Sequence, residues 1–258
     1  MKKLKLRPSA SARWLNCTGS LILEQNVPKV RAVNTLRAAC EGTVAHELLE
    51  HCINNCCDPE QFLGEAREVY EPDEMVFPMT FYINEDMVAG VRLFQNHIKD
   101  YTGLWHSELQ MQHSQIPELQ GTADYVCVDG EHLYLDDLKY GRGTVQAVNR
   151  KGEVNTQLLC YASMVFDMFE QIETATLSIV QPRSKTKKKI RSVDITRDDI
   201  DTFLQRVEAV GVVLEQIAEG EAQTRDYLKE GSHCFFCPAK AVCELRRAAE
   251  AKRMFDKI

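Results

Sequence analysis

The chain has 258 residues, 44% hydrophobic and 27% charged, which suits one soluble globular domain, and its net charge of −7 does not announce a nucleic-acid binder. A low net charge excludes little, because metal-holding carboxylates and a basic groove cancel in the sum. No run is long enough for a membrane span, and the basic N-terminus lacks a signal-peptide apolar stretch, so a cytoplasmic protein without membrane contact is expected.

In chain order, residues 9–26 read as one or two short helices and 28–36 as a loop. Residues 37–57 form a helix with Val44, Leu48 and Cys52 at steps of four and His46 and Glu50 on an adjacent face. Residues 58–78, with three prolines and several acids, read as irregular and as a segment folding over a site. An amphipathic helix is predicted over 80–102, carrying Met87, Val91, Phe94 and Ile98, followed by a strand over 105–116 that contains Glu108. Strand-like runs 123–128 and 132–138 flank Asp129-Gly130, a strong hairpin signal. After a loop at 140–143, a helix is predicted over 154–169. A second strand pair, 174–181 and 188–195, encloses a basic tip. Thr196-x-x-Asp199 reads as a capping box opening a helix that runs through Ile217. The tail reads as a short cysteine knuckle and a basic helix. Helices, strands, helix, strands and helix in this order suit a mixed α/β core with a helical flank.

The hairpin is the chemical centre. Asp137 and Lys139 are two apart and so share a strand face. The start of one hairpin strand lies beside the end of the other, which sets Asp124 next to Asp137. Two crowded carboxylates repel, and a divalent cation relieves them; oxygen ligands favour Mg²⁺ or Mn²⁺. The plain alternative is a surface hairpin with salt-bridged polar ends.

Ten cysteines without an export signal do not read as a disulfide framework. Cys127 in a strand and Cys160 in an apolar helix read as core residues. Cys234-x-x-Cys237 followed by Cys243 gives three thiolates in a compact knuckle. Zn²⁺ would complete its set from nearby, with His233 available, whereas an iron–sulfur cluster would need a fourth, remote cysteine. Spacing alone leaves both open.

The basic tip holds Arg183, Lys185, Lys187, Lys188, Lys189 and Arg191. With Arg142 it reads either as a solvated loop or as a phosphate-contacting arm that gives sequence-independent, salt-sensitive affinity.

Asp124 with Asp137-Leu138-Lys139 resembles the core of the PD-(D/E)XK nuclease superfamily, and Gly121-Thr122-Ala123-Asp124 resembles its RecB-like branch. Gly42-Thr43-Val44-Ala45-His46 resembles that branch's helix motif with a histidine metal ligand. Gln157-x-x-x-Tyr161 resembles the QxxxY helix that lines the DNA channel. The resemblance spans Cys17 to Cys243 and is strongest to a phage and prophage branch. It implies a restriction-endonuclease-like mixed sheet flanked by helices in a single domain over 1–258. Within it, 37–224 would be the nuclease core, and 1–36 with 225–258 a helical iron–sulfur cap joining the termini.

The resemblance also implies roles. His46, Asp124, Asp137 and the Leu138 carbonyl would hold the metal, while Lys139 would orient water or stabilise phosphate charge. Gln157 and Tyr161 would stand beside them, and Glu108 matches an acidic position of secondary weight. Cys17, Cys234, Cys237 and Cys243 would hold a [4Fe–4S] cluster, with Zn²⁺ the alternative. The implied activity is that of a metal-dependent DNA exonuclease acting on single strands or ends in phage recombination or DNA processing, with a recombination protein as a candidate partner. The alternative class is a non-catalytic nucleic-acid-binding accessory protein stapled by iron–sulfur or zinc. Residues 58–78 match nothing in the family, and Asp136 competes with Asp137 for the ligand role.

Overall fold

A computed structural model describes residues 4–28 and 32–255, with no side chain described beyond Ala249. Short helices α1 (Ser11–Trp14) and α2 (Gly19–Leu23) precede α3 (Val33–Asn54). The long helix starts four residues earlier than its predicted first residue. Leu36 and Cys40 extend the apolar stripe backward through Val44, Leu48 and Cys52, and all five are buried.

The segment expected to be irregular contains β1 (Ala66–Val69), which pairs antiparallel with β2 (Met79–Tyr82). Residues 80–82 are therefore strand, and the following helix α4 (Glu85–Ile98) begins later than predicted. Asn84 decides that boundary: its side chain accepts the Met87 N–H at 3.0 Å and caps the helix.

The main sheet contains β3 (Leu104–Gln112), β4 (Gln120–Asp129), β5 (His132–Leu138), β6 (Thr174–Val180) and β7 (Ile190–Thr196), adjacent in that order. All neighbours run antiparallel except β5 and β6, which are parallel. The parallel pair needs a crossover, supplied by α5 (Thr156–Met168). Between β4 and β5, Gly130 takes φ 60°, a left-handed conformation that suits a two-residue hairpin turn. The helix α6 (Arg197–Glu219) opens on the expected capping box of Thr196 and Asp199 and ends at Gly220. The tail holds two 3-10 turns and α7 (Glu244–Phe255).

The sheet has a core on each face. Leu133 and Leu135 of β5 join a cluster with α5 and α6, including Leu158, Val165, Phe203 and Val207. Tyr125, Cys127 and Leu138 join a second cluster with α3 and α4, including Val44, Leu48, Met87 and Phe94. This is a mixed α/β fold with a five-stranded sheet between helices, consistent with a restriction-endonuclease-like core. Trp14 and Leu21 dock α1 and α2 onto the α5 side. Cys127 and Cys160 are buried core thiols. Among the described residues, no helix is long and apolar enough to cross a membrane.

Candidate active site

The site forms where the β4–β5 ladder ends. Tyr125 pairs with Asp136, so continued register would oppose Asp124 to Asp137. The ladder stops there, and Asp124 Oδ2 instead accepts the Leu138 backbone N–H at 2.6 Å. A carboxylate thus replaces a main-chain acceptor at the strand end, and its second oxygen faces α3.

His46 meets that oxygen. Its Nδ1 lies 3.3 Å from Asp124 Oδ1 and 3.5 Å from Glu108 Oε1. Among the described residues, His46, Glu108 and Asp124 form the one set of three metal-ligand side chains with donor atoms within 4.8 Å of one another. Glu108 has φ 48°, an uncommon value for a residue with a side chain. The β3–β4 pairing skips it, running from Ser107–Tyr125 to Leu109–Ala123. Local strain of this kind persists where surroundings enforce it, often at functional sites. Glu108 carried secondary weight in the sequence because a backbone outlier leaves no compositional mark; in the structure it belongs to the central cluster.

Asp137 is buried on the α5 side. Its Oδ1 accepts from Lys139 Nζ at 2.9 Å and from Gln157 Nε2 at 3.2 Å. Its buried Oδ2 is ion-paired to Lys139 Nζ at 2.6 Å. Gln157 Nε2 also donates to the Tyr161 hydroxyl at 3.1 Å. Asn155 accepts the Gln157 N–H and caps α5, fixing where Gln157 points. Gly121 is required by close packing: a Cβ there would lie 2.8 Å from Pro8 Cγ and 3.1 Å from Tyr161 Cε1.

The pleat separates the two adjacent acids. Asp136 faces α4, fully buried, and accepts a hydrogen bond from His97 Nε2 at 2.8 Å, with the Tyr101 hydroxyl 3.2 Å from the same nitrogen. Of the pair, Asp137 is the one on the α5 side with Lys139 and Gln157, adjoining the set of three without being part of it. His97 carries no sequence signal, because its partner lies on another element.

Electrostatics give these groups unlike states. Burial disfavours the charged His46 imidazole, but Asp124, Glu108 and Asp137 together outweigh it and lift its pKa to about 10. Burial also works against Asp124, yet His46, Lys139 and the Leu138 N–H hold its carboxyl below the usual range. Asp137 is pushed upward by burial, with Asp124 adding to the effect against Lys139. Burial disfavours the Lys139 ammonium, but Asp137 and Asp124 more than offset it. The imidazolium therefore fills a place where the carboxylates demand positive charge. One imidazole nitrogen and several carboxylate oxygens fit a hard divalent cation.

The other named residues are more dispersed. Arg142 is exposed on the loop after β5, and Lys185, Lys187 and Lys188 are exposed at the β6–β7 tip. Two residues depart from the expectation of a uniformly phosphate-facing tip. Arg183 pairs with Glu41 at 2.9 Å and lies 4.6 Å from the Tyr140 ring centroid. Lys189 Nζ donates to the Ser184 carbonyl at 2.5 Å. Both are held because the tip folds back on α3 and on itself.

Cys17, Cys234, Cys237 and Cys243 line one cavity, with Ser20, Leu228 and His233 also on its walls. Cys17 Sγ accepts the Lys229 N–H at 3.4 Å across a sequence separation of 212. His233 Nε2 lies 2.9 Å from the Lys229 carbonyl oxygen.

Residues 4–257 match the family described as Protein of unknown function (DUF2800), and the chain belongs to it. Similar solved structures include an alkaline exonuclease (LHK-Exo) from Laribacter hongkongensis, 16% identical at a TM-score of 0.28, covering 55% of this chain and 79% of that one. Another is described as the crystal structure of SSO0001, 13% identical at a TM-score of 0.33, covering 61% of this chain and 67% of that one.

Proposed function

We propose that this member of the DUF2800 family is a divalent-metal-dependent deoxyribonuclease, an exonuclease acting on single-stranded DNA or DNA ends in phage recombination or DNA processing. The carrying observation is the meeting of His46, Glu108 and Asp124, remote in sequence, within 4.8 Å. Asp137, Lys139 and Gln157 adjoin them through hydrogen bonds and close charge contacts.

His46, Asp124 and Asp137 would hold the metal, with Glu108 and the Leu138 carbonyl as further oxygen donors. A bound Mg²⁺ or Mn²⁺ supplies a water of lowered pKa and neutralises phosphate oxygens. The chain's own residues do the rest. His46 must shed its proton to present a lone pair. Lys139 offers positive charge where phosphate charge develops. Gln157 holds Asp137 Oδ1 in place and links it to Tyr161. The exposed Arg142, Lys185, Lys187 and Lys188 would contact the DNA backbone without reading bases.

Cys17, Cys234, Cys237 and Cys243 are the proposed ligands of a [4Fe–4S] cluster that ties the two ends of the chain together. Their common cavity supports this. Anaerobically prepared protein should be brown and absorb near about 400 nm. A colourless protein with one zinc per chain would overturn the cluster assignment.

The activity is tested by digesting end-labelled DNA, single- and double-stranded, linear and circular, with Mg²⁺ or Mn²⁺. Wild type should shorten linear DNA from its ends, and Asp137→Ala and Lys139→Ala should not. Equal residual activity in all three would sink the enzyme reading.

A further inference from the structure

A second feature of the β6–β7 tip is buried rather than exposed. Gln181, fully buried, donates from Nε2 to the carbonyl oxygens of Gly141 and Gly143. Its Oε1 accepts the Val145 N–H at 3.0 Å and a hydrogen bond from Arg191 Nη1 at 3.2 Å. Arg191 Nη1 also donates to the Val145 carbonyl, and Nη2 donates to Ser184 Oγ and Thr186 Oγ1. This network binds the loop after β5 to the base of the tip.

Every hydrogen-bond partner given for Arg191 is a neutral oxygen, although the residue is only 6% exposed. Other largely buried arginines are matched by carboxylates: Arg13 pairs with Glu24 at 2.6 Å and Arg183 with Glu41 at 2.9 Å. A guanidinium is permanently charged, and dipoles alone compensate a desolvated charge poorly. Arg191 also lines a cavity with Gln146, Thr186, Lys188 and Ser192, between the loop and the tip. That cavity therefore gathers two cations, one of them desolvated, together with hydroxyl and amide groups, and no acid is among the described residues that line it.

The cavity is placed to serve the site already described. Asp137 is opposite Ile179 in the parallel ladder, and Ile179 is opposite Arg191 in the next. Arg191 thus stands level with Asp137, two strands away, on the order of 10 Å. One extended strand of nucleic acid spans both points.

We propose that the cavity formed by Gln146, Thr186, Lys188, Arg191 and Ser192 is a phosphate subsite, holding a backbone phosphate of the strand to be cut away from the scissile bond. The proposal rests on the nuclease reading above. Arg191 supplies an oriented fork of donors and Lys188 a second charge at the mouth.

The test uses the full chain without divalent metal, so that binding is read without cleavage. The probes are a fluorescein-labelled single-stranded oligothymidylate, measured by anisotropy across a salt series, and inorganic phosphate, measured by thermal shift. Lys188→Gln and Arg191→Lys should each weaken oligonucleotide binding roughly tenfold, and Lys188→Gln should lower the salt slope by about one. Phosphate should raise the melting temperature of wild type and not of either variant. Arg206→Gln removes an exposed charge from α6 and serves as the control. If Arg191→Lys does not fold, Lys188→Gln decides through the phosphate arm, since any exposed backbone-contacting lysine would lower oligonucleotide affinity. DNA bound and cut with Lys188→Gln behaving as the control overturns the subsite and leaves the nuclease reading standing. If no oligonucleotide is bound but phosphate still protects wild type and not Lys188→Gln, the phosphate pocket stands and the nuclease reading fails.

Discussion

Replacing His97 by Phe should expose how far the hidden acid beside the site depends on that partner. Asp136 is fully buried, and its Oδ1 accepts from His97 Nε2 at 2.8 Å. A buried carboxylate left without its partner costs about 3–5 kcal/mol. Protonation sets a ceiling on that cost. Burial already pushes the Asp136 carboxyl above its ordinary value, and losing His97 pushes it further. Once the carboxyl is neutral, the cost is that of protonating a group of unfolded pKa about 3.9, near 4 kcal/mol at about pH 7 and 1.5 kcal/mol at about pH 5. A group whose folded pKa is raised loses stability as pH climbs past its unfolded value, so the variant's deficit must grow with pH. Urea unfolding at both pH values, under reducing conditions, reads it directly. Asp136→Asn in the His97→Phe background should remove the pH dependence of the deficit. A deficit under about 1 kcal/mol at neutral pH, or one of equal size at both, would refute the reasoning.

Three further outcomes are expected. The raised pKa of His46, about 10, contributes stability that is fully present below about 6.5 and lost as pH rises through the folded value. Metal-free protein should therefore lose melting temperature across that interval and His46→Gln should not; parallel curves would deny the ion cluster. Glu108→Gly removes a left-handed conformational penalty of about 1–2 kcal/mol, so it should unfold no earlier than wild type in urea. It should nevertheless bind Mn²⁺ at least roughly tenfold more weakly by calorimetry; unchanged affinity would remove Glu108 from the centre. Gly121→Ala forces a methyl against Pro8 and Tyr161 and should cost about 1–3 kcal/mol in the same urea assay, with wild-type stability the contrary result.

Local chemistry made much of this protein readable from its residues. The hairpin announced itself because Asp-Gly supplies the backbone its turn needs and because apolar residues flank it. The Thr196–Asp199 box and the apolar stripes of α3, α4 and α6 were equally plain. So was the parity that puts Asp137 and Lys139 on one strand face. Each of these follows from periodicity or from partners within a few positions. Where such signals conflicted, at 80–84, strand pairing with 66–69 and the Asn84 cap overrode the helical reading.

Relations between distant elements were decided only by the folded chain. That Asp137 stands with Lys139 and Gln157 while Asp136 meets His97 turned on which face met α5 and which met α4. The weight of Glu108 came from a strained backbone opposite Asp124, and the isolation of Arg191 from acids came from a loop folding across β7. Amino-acid order specifies which groups are available and how each strand alternates. Packing decides which of them meet out of water, and there a missing counter-charge shifts a proton or requires a bound ion.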